Sequence, residues 1–235
     1  MRRVWAICRK EVVSYFSSPV AWIVAAIFLV LFGFFFSIII SATREAHMRY
    51  VFGNMNVTLL LIAPMLTMRL FAEERKLGTF ELLMTSPVTL FEVVIGKFLG
   101  SVLLFLAIMT VTLEYPVFLF AYGNPDWGPL FTSYLGFVLI GLAYLSVGMF
   151  ASSLTDNQIV ATVIAFGILL MLGVIGWAGQ QMSGPIGDFI QGISVFDRFE
   201  NFTRGVLDTG DVLFYLSIAC LFIFLTVRSL DWRRW

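Results

Sequence analysis

The chain has 235 residues, 60% of them hydrophobic, with 15 basic and 15 acidic side chains and a mean hydropathy of +0.93. Soluble globular chains carry about 45–50% apolar and roughly 25% charged residues, so a water-soluble domain is excluded and lipid must be the solvent. There is neither a basic excess of the kind nucleic acid requires nor an acidic tail; the two cysteines, Cys8 and Cys220, stand in dissimilar contexts, which rules out a disulfide framework and reads both as packing residues.

At 100° per residue, residues 2 to 17 gather Val4, Trp5, Cys8, Val12, Tyr15 and Phe16 on one face and leave Arg2, Arg3, Arg9, Lys10 and Ser14 opposite. This predicts an amphipathic helix lying flat at the membrane surface. Its periodicity fits a plain anchor as well as a contact with a partner protein. Ser18-Pro19 then opens a first span over about 19–41, whose apolar run is too long for a secretory signal. A second span, about 50–71, carries Asn54, Asn56, Thr58 and Pro64. Such residues suit either a passage or the satisfaction of a neighbouring helix.

Between the second and third spans, residues 73–88 read Glu-Glu-Arg-Lys-Leu-Gly-Thr-Phe-Glu-Leu-Leu-Met-Thr-Ser-Pro-Val. Charges of both signs lead into a short apolar helix that starts at Gly78-Thr79 and ends before Pro87, which disfavours helical geometry at Ser86. So short a helix is marginal in water. Phe80, Leu82, Leu83 and Met84 therefore need a cover, either the bundle itself or a groove on a partner.

Thr89-Leu90-Phe91-Glu92 has the form of a capping box that opens the third span, about 90–121. Glu114 is the one ionisable group expected inside a span. At about 1.5 Å per residue it lies roughly 25 Å beyond Lys97, near the far interface, and reads as a hydrated helix-end carboxylate. Asn124-Pro125 breaks the chain before the fourth span, about 129–153. Thr155-Asp156-Asn157-Gln158 reads as another capping box before the fifth, about 157–178, so these two spans share a tight turn.

Residues 179–210 form an outer segment. Gly179 to Pro185 has the composition of a re-entrant turn, and Val195, Phe199, Phe202 and Val206 recur at helical spacing up to Gly205. That pattern predicts a second surface helix dipping toward the outer leaflet. The last span, about 211–229, has 16 uncharged residues and reaches the interface if Arg228 snorkels.

A crossing needs about 20 apolar residues, and the short polar–apolar alternation of a barrel is missing. The expected fold is therefore an all-α bundle of six transmembrane helices in a single domain over 1–235. With an even number of spans both termini share a side. Placing them in the cytoplasm puts eleven lysines and arginines inside and four outside, Arg44, Arg49, Arg198 and Arg204.

No phosphate-cradling G-x-x-x-x-G-K-[ST] surrounds Gly96-Lys97; His47 is the sole histidine, and no G-x-S-x-G is found. The chain is expected to be no enzyme, with no metal, no catalytic residue and no cofactor of its own.

The run Glu74 to Pro87, followed by Glu92 and Gly96-Lys97, resembles the cytoplasmic loop of ABC-2-type transporter permeases. Lys10-Glu11 with Tyr15-Phe16-Ser17-Ser18-Pro19, and Phe196, Phe199, Phe202, Gly205 and Asp208, resemble the branch associated with bacterial gliding motility. The resemblance implies a permease subunit of the bacterial inner membrane with an amino-terminal connecting helix and a cytoplasmic coupling helix. It implies a second permease subunit, identical or not, and a separate ATPase that holds ATP and Mg. A companion membrane protein with a periplasmic domain is a further implied partner. Carried over by position, the ATPase contact falls on Gly78, Thr79, Phe80, Glu81, Leu82 and Leu83, and the connecting-helix contact on Arg9, Lys10 and Glu11. Asn54, Asn56, Thr58 and Glu114 are the candidate pathway residues. The rival reading is a subunit that moves no substrate and transmits ATPase motion to a periplasmic partner.

Overall fold

The computed structural model describes residues 2–79, 88–181, 184, 192 and 194–232. Ten helices run through them: α1 Arg2–Phe16, α2 Pro19–Thr43, α3 Arg49–Thr67, α4 Arg69–Lys76, α5 Leu90–Val111, α6 Glu114–Tyr122, α7 Trp127–Leu154, α8 Gln158–Gln181, α9 Val195–Thr203 and α10 Thr209–Trp232. No strand occurs among the described residues. Six helical stretches are long and apolar enough to cross a membrane: α2, α3 with α4, α5 with α6, α7, α8 and α10.

Their burial is unequal. The apolar window of α7 is 78% buried, that of α3–α4 72%, and that of α2 only 17%. Spans α7, α3 and α5 therefore form the protein's interior, and α2, α8 and α10 form its lipid-facing shell. Phe137 of α7 sits at the centre, its ring 5.4 Å from Phe52, 6.1 Å from Phe199 and 6.2 Å from both Phe28 and Phe105. Aromatic pairs at these separations favour tilted and edge-on packing.

Two spans are broken. The second divides at Met68, between α3 and α4, although the Met68 amide still donates to Pro64 O at 2.8 Å; Pro64, inside α3, withholds its own N–H from the ladder one turn earlier. The third divides at Thr112-Leu113, ahead of Glu114 and Pro116. Glu114 is exposed there, at the start of α6.

Helix starts follow capping chemistry. Thr89 and Glu92 make a reciprocal capping box on α5. At the start of α8 the cap is Asn157, not Thr155: Asn157 Oδ1 accepts from the Ile159 amide at 2.9 Å, while Thr155 Oγ1 accepts from Asn157 itself. With only three residues between α7 and α8 the chain has no room for a box beginning at Thr155.

The outer helix α9 is capped by Ser194 and closed by Gly205, whose φ of +87° suits glycine. It does not dip toward lipid. Val195, Phe199 and Phe202 are buried in the bundle, and Val206, expected on the same face, is 53% exposed. Tyr215 donates its hydroxyl to Val195 O, and Asp211 accepts from Arg198 and Asn201, tying α9 to α10. The interior aromatics thus offered α9 a better burial partner than the lipid surface. Helix α8 continues to Gln181, so the expected re-entrant turn does not begin at Gly179; Met182, Ser183 and Pro185 lie outside the described residues.

Candidate functional site

Of the sequence-predicted residues, Arg9, Lys10, Glu11, Gly78 and Thr79 lie at the end of the bundle that bears the termini. Helix α1 does not lie free on the surface there; it docks along α5. Its buried face is Cys8, Glu11 and Tyr15, with Val4, Ile7 and Val12 half-covered, while Trp5 and Phe16 are 64% and 45% exposed. The amphipathic arc drawn from sequence is thus rotated, because a helix docking on a helix buries a narrow i, i+3, i+4, i+7 ridge and not a broad apolar arc. The groove that receives the ridge is made by two glycines one turn apart on α5. A Cβ on Gly96 would come within 2.8 Å of Ile7, and one on Gly100 within 2.6 Å of Glu11.

Lys97, between those glycines, is 1% exposed. Its Nζ donates to Glu11 Oε1 of α1 at 2.7 Å and lies 3.0 Å from Glu74 Oε1 of α4. Lys10 reaches the same Glu74 oxygen at 2.9 Å. Two lysines and two glutamates from three helices form one neutral cluster. Burial pulls the Lys10 ammonium down, but the Glu74 carboxylate outweighs it and holds the group above its ordinary value. Tyr15 completes the docking by donating to Leu66 O at 2.8 Å, and its burial raises the phenol well above its usual range.

Helix α4 is the arm that leads toward residues 80–87. Its first turn is held by Ser152 of α7, whose Oγ accepts from the amides of Phe71 and Ala72 at 3.0 and 3.1 Å and donates to Met68 O at 2.7 Å. These amides belong to the first turn of α4, where side-chain acceptors commonly support a helix start. At its other end Arg75 lies 3.7 Å from Asp156 in the α7–α8 turn. Gly78 has φ +70° and Thr79 donates to Glu74 O; both are exposed. Phe80, Glu81, Leu82 and Leu83 lie outside the described residues.

Of the remaining expected residues, Lys10 and Glu11 enter the charge cluster, whereas Arg9 is exposed. Asn54, Asn56 and Thr58 do not share one face. Asn56 is buried against Tyr144, its Oδ1 accepting at 3.3 Å, and Thr58 is buried and donates to Asn54 O. Asn54 is exposed with its amide on Tyr50 O. Glu114 sits exposed on another element, at the start of α6.

Residues 5–228 match the profile described as ABC-2 family transporter protein. The chain belongs to this family. Over 134 residues it is also 28% identical to the probable multidrug ABC transporter permease YbhR of Escherichia coli K12, and equally to its counterpart in Escherichia coli O157:H7. Each alignment covers 56% of this chain and 35% of the relative, so the match spans about a third of the length of the curated relatives. A multi-pass membrane protein of a transporter family is thereby established.

Sequence reasoning missed Lys97, Glu74 and Ser152. Lys97 had a signal: a lysine between two glycines a turn apart, inside an otherwise apolar helix, has no lipid-compatible place except under another helix. Ser152 had none, because a serine facing a neighbouring backbone reads like any small residue in a span.

Proposed function

We propose that this chain is the permease subunit of an ATP-binding cassette exporter, paired with a second permease subunit and driven by a separate ATPase that carries ATP and Mg. The observation that carries this reading is the Lys97 cluster. One buried ammonium on α5 grips both α1, which carries the connecting-helix residues, and α4, which leads into the expected ATPase contact. A force applied at Gly78, Thr79 and the Phe80–Leu83 segment enters α4 first. It passes through Glu74 and Lys97 to α1 and α5, and through Ser152 to α7. Rigid helices linked in this way convert a small local shift into movement of whole spans.

The lysine and arginine asymmetry supports cytoplasmic termini in a bacterial inner membrane. The likeness of 10–19 and 196–208 to the gliding-motility branch supports a companion with a periplasmic domain and leaves the permease pair open to be identical or mixed. The passage then runs between subunits, with Asn54 and Glu114 the pathway candidates that are exposed; Asn56 and Thr58 serve packing inside the bundle.

The test is reconstitution of the full chain with its ATPase. Phe80→Ala or Glu81→Ala is expected to abolish substrate-dependent ATP hydrolysis and transport while the subunit still inserts in the membrane. Retained coupling in both variants counts against the reading. Liposomes in which ATP is hydrolysed and no solute or lipid crosses would favour force transmission instead.

A further inference from the structure

Where α2 ends, at the far side of the bundle from the termini, a groove of about 370 Å³ opens between α2 and α6. Its walls are Phe36 and Ile40 on one side and Phe118, Leu119 and Tyr122 on the other, and Arg44 and Glu45 stand at its mouth. The walls are pinned at both ends. Below, the Tyr115 ring packs on Phe32 at 5.0 Å and on Phe36 at 4.7 Å. Above, Gly123 approaches the α2–α3 loop so closely that a Cβ there would lie 2.9 Å from Ala46. The space between is therefore a built feature of the broken third span, and it opens at the protein surface.

Arg44 is the second observation. It caps α2 with φ 55° and ψ 25°, and it alone among the described non-glycine residues has a positive φ. Left-handed backbone costs an L-residue about 1 kcal/mol or more, which glycine would avoid. Its side chain is exposed and engages no carboxylate among the described residues; Glu45 beside it pairs with His47 at 3.0 Å. A strained, unneutralised guanidinium thus stands over an apolar slot at the level where exposed Tyr122 and Trp127 mark the interface.

We propose that this is a phospholipid site, with the phosphate of a glycerophospholipid on Arg44 and one acyl chain in the α2–α6 groove. Guanidinium matches phosphate in geometry as well as charge, and a hydrocarbon chain is the occupant that the bilayer supplies to an apolar slot. A free anion would leave the slot unused, so the lipid is the favoured source of the phosphate.

The experiment reconstitutes the full chain in phosphatidylcholine nanodiscs containing phosphatidylglycerol with a photoactivatable acyl chain, and maps the crosslinked peptides by mass spectrometry. Crosslinks are expected on Phe36, Ile40 or Phe118. Arg44→Gly should reduce them several-fold while the melting temperature holds or rises, because glycine relieves the backbone. Arg44→Lys should retain most of the signal, and Ile40→Trp should remove it by filling the slot with the charge intact. Unchanged labelling in Arg44→Gly and Ile40→Trp overturns the proposal. So does competition by inorganic phosphate alone, which would mark a simple anion site.

Discussion

Among the described residues three side chains of the Asp, Glu, Lys and Arg types are buried, Glu11, Lys97 and Asp211, and each has an opposite charge in contact. Removing one partner of such a pair costs about 3–5 kcal/mol, because the other charge is left without solvent. Lys97→Met strands the Glu11 carboxylate and leaves Glu74 to Lys10 alone, so it should lower the stability of the detergent-solubilised protein by about 3 kcal/mol or more, read as a drop in melting temperature. Adding Glu11→Gln should recover part of that loss, since it withdraws the stranded charge. A K97M protein as stable as wild type would mean that the cluster is solvated in practice. Ser152→Ala makes a more local prediction. It removes the side-chain acceptor shared by the Phe71 and Ala72 amides and costs about 1–3 kcal/mol. Amide exchange should rise in the first turn of α4 and stay slow through the middle of α7, as hydrogen-exchange mass spectrometry would show.

The docking of α1 depends on the bare backbone of Gly96 and Gly100. Gly100→Val puts atoms where Glu11 Cβ lies, and overpacking of this kind costs about 1–3 kcal/mol. The expected result is partial release of α1, seen as faster labelling of Cys8 by a thiol reagent in a Cys220→Ser background. Cys8 is a clean reporter because it is 1% exposed and burial raises its thiol above the ordinary value. The existence of α1 and of the six spans was legible in the sequence, since apolar period and uncharged length report directly on helices and crossings. Which face of α1 is buried was not legible. Periodicity sums over all apolar side chains, whereas docking selects the ridge that fits one particular groove, here admitting Glu11 and leaving out Trp5. The same holds for α9, whose stripe was legible up to Phe202 and whose partner was not. On α9 the Arg204 guanidinium, working against burial and joined by Arg49, holds the Glu200 carboxyl below its ordinary value. The sign follows: a depressed carboxyl contributes stability above its unfolded value of about 4.3 and loses it as pH falls through the folded one. Glu200→Gln should flatten the acid limb of a melting-temperature profile, modestly, because the pair is half-exposed.

Within one copy the interior is closed by the Phe28, Phe52, Phe105, Phe137 and Phe199 cluster, so a substrate path has to follow a surface. Helix α3 supplies an unusual one. Although its span is mostly buried, Tyr50, Gly53, Asn54, Val57, Leu61 and Met65 form a continuous exposed stripe along it. Asn54 is a polar group in that stripe, and no side chain approaches a Cβ built on Gly53. A lipid-facing stripe has no use for a carboxamide, and a subunit interface that carries polar cargo does. If a second permease subunit packs there, Asn54→Cys in a background without Cys8 and Cys220 should form an intersubunit disulfide on mild oxidation in native membranes. Val30→Cys, on the shell helix α2 and 70% exposed, should not. A product of twice the chain mass indicates a pair of identical subunits, and one of unequal mass a mixed pair. Absence of any crosslink from positions 54, 57 and 61 would remove α3 from the interface, and the passage would then have to be sought along the outer face of α8.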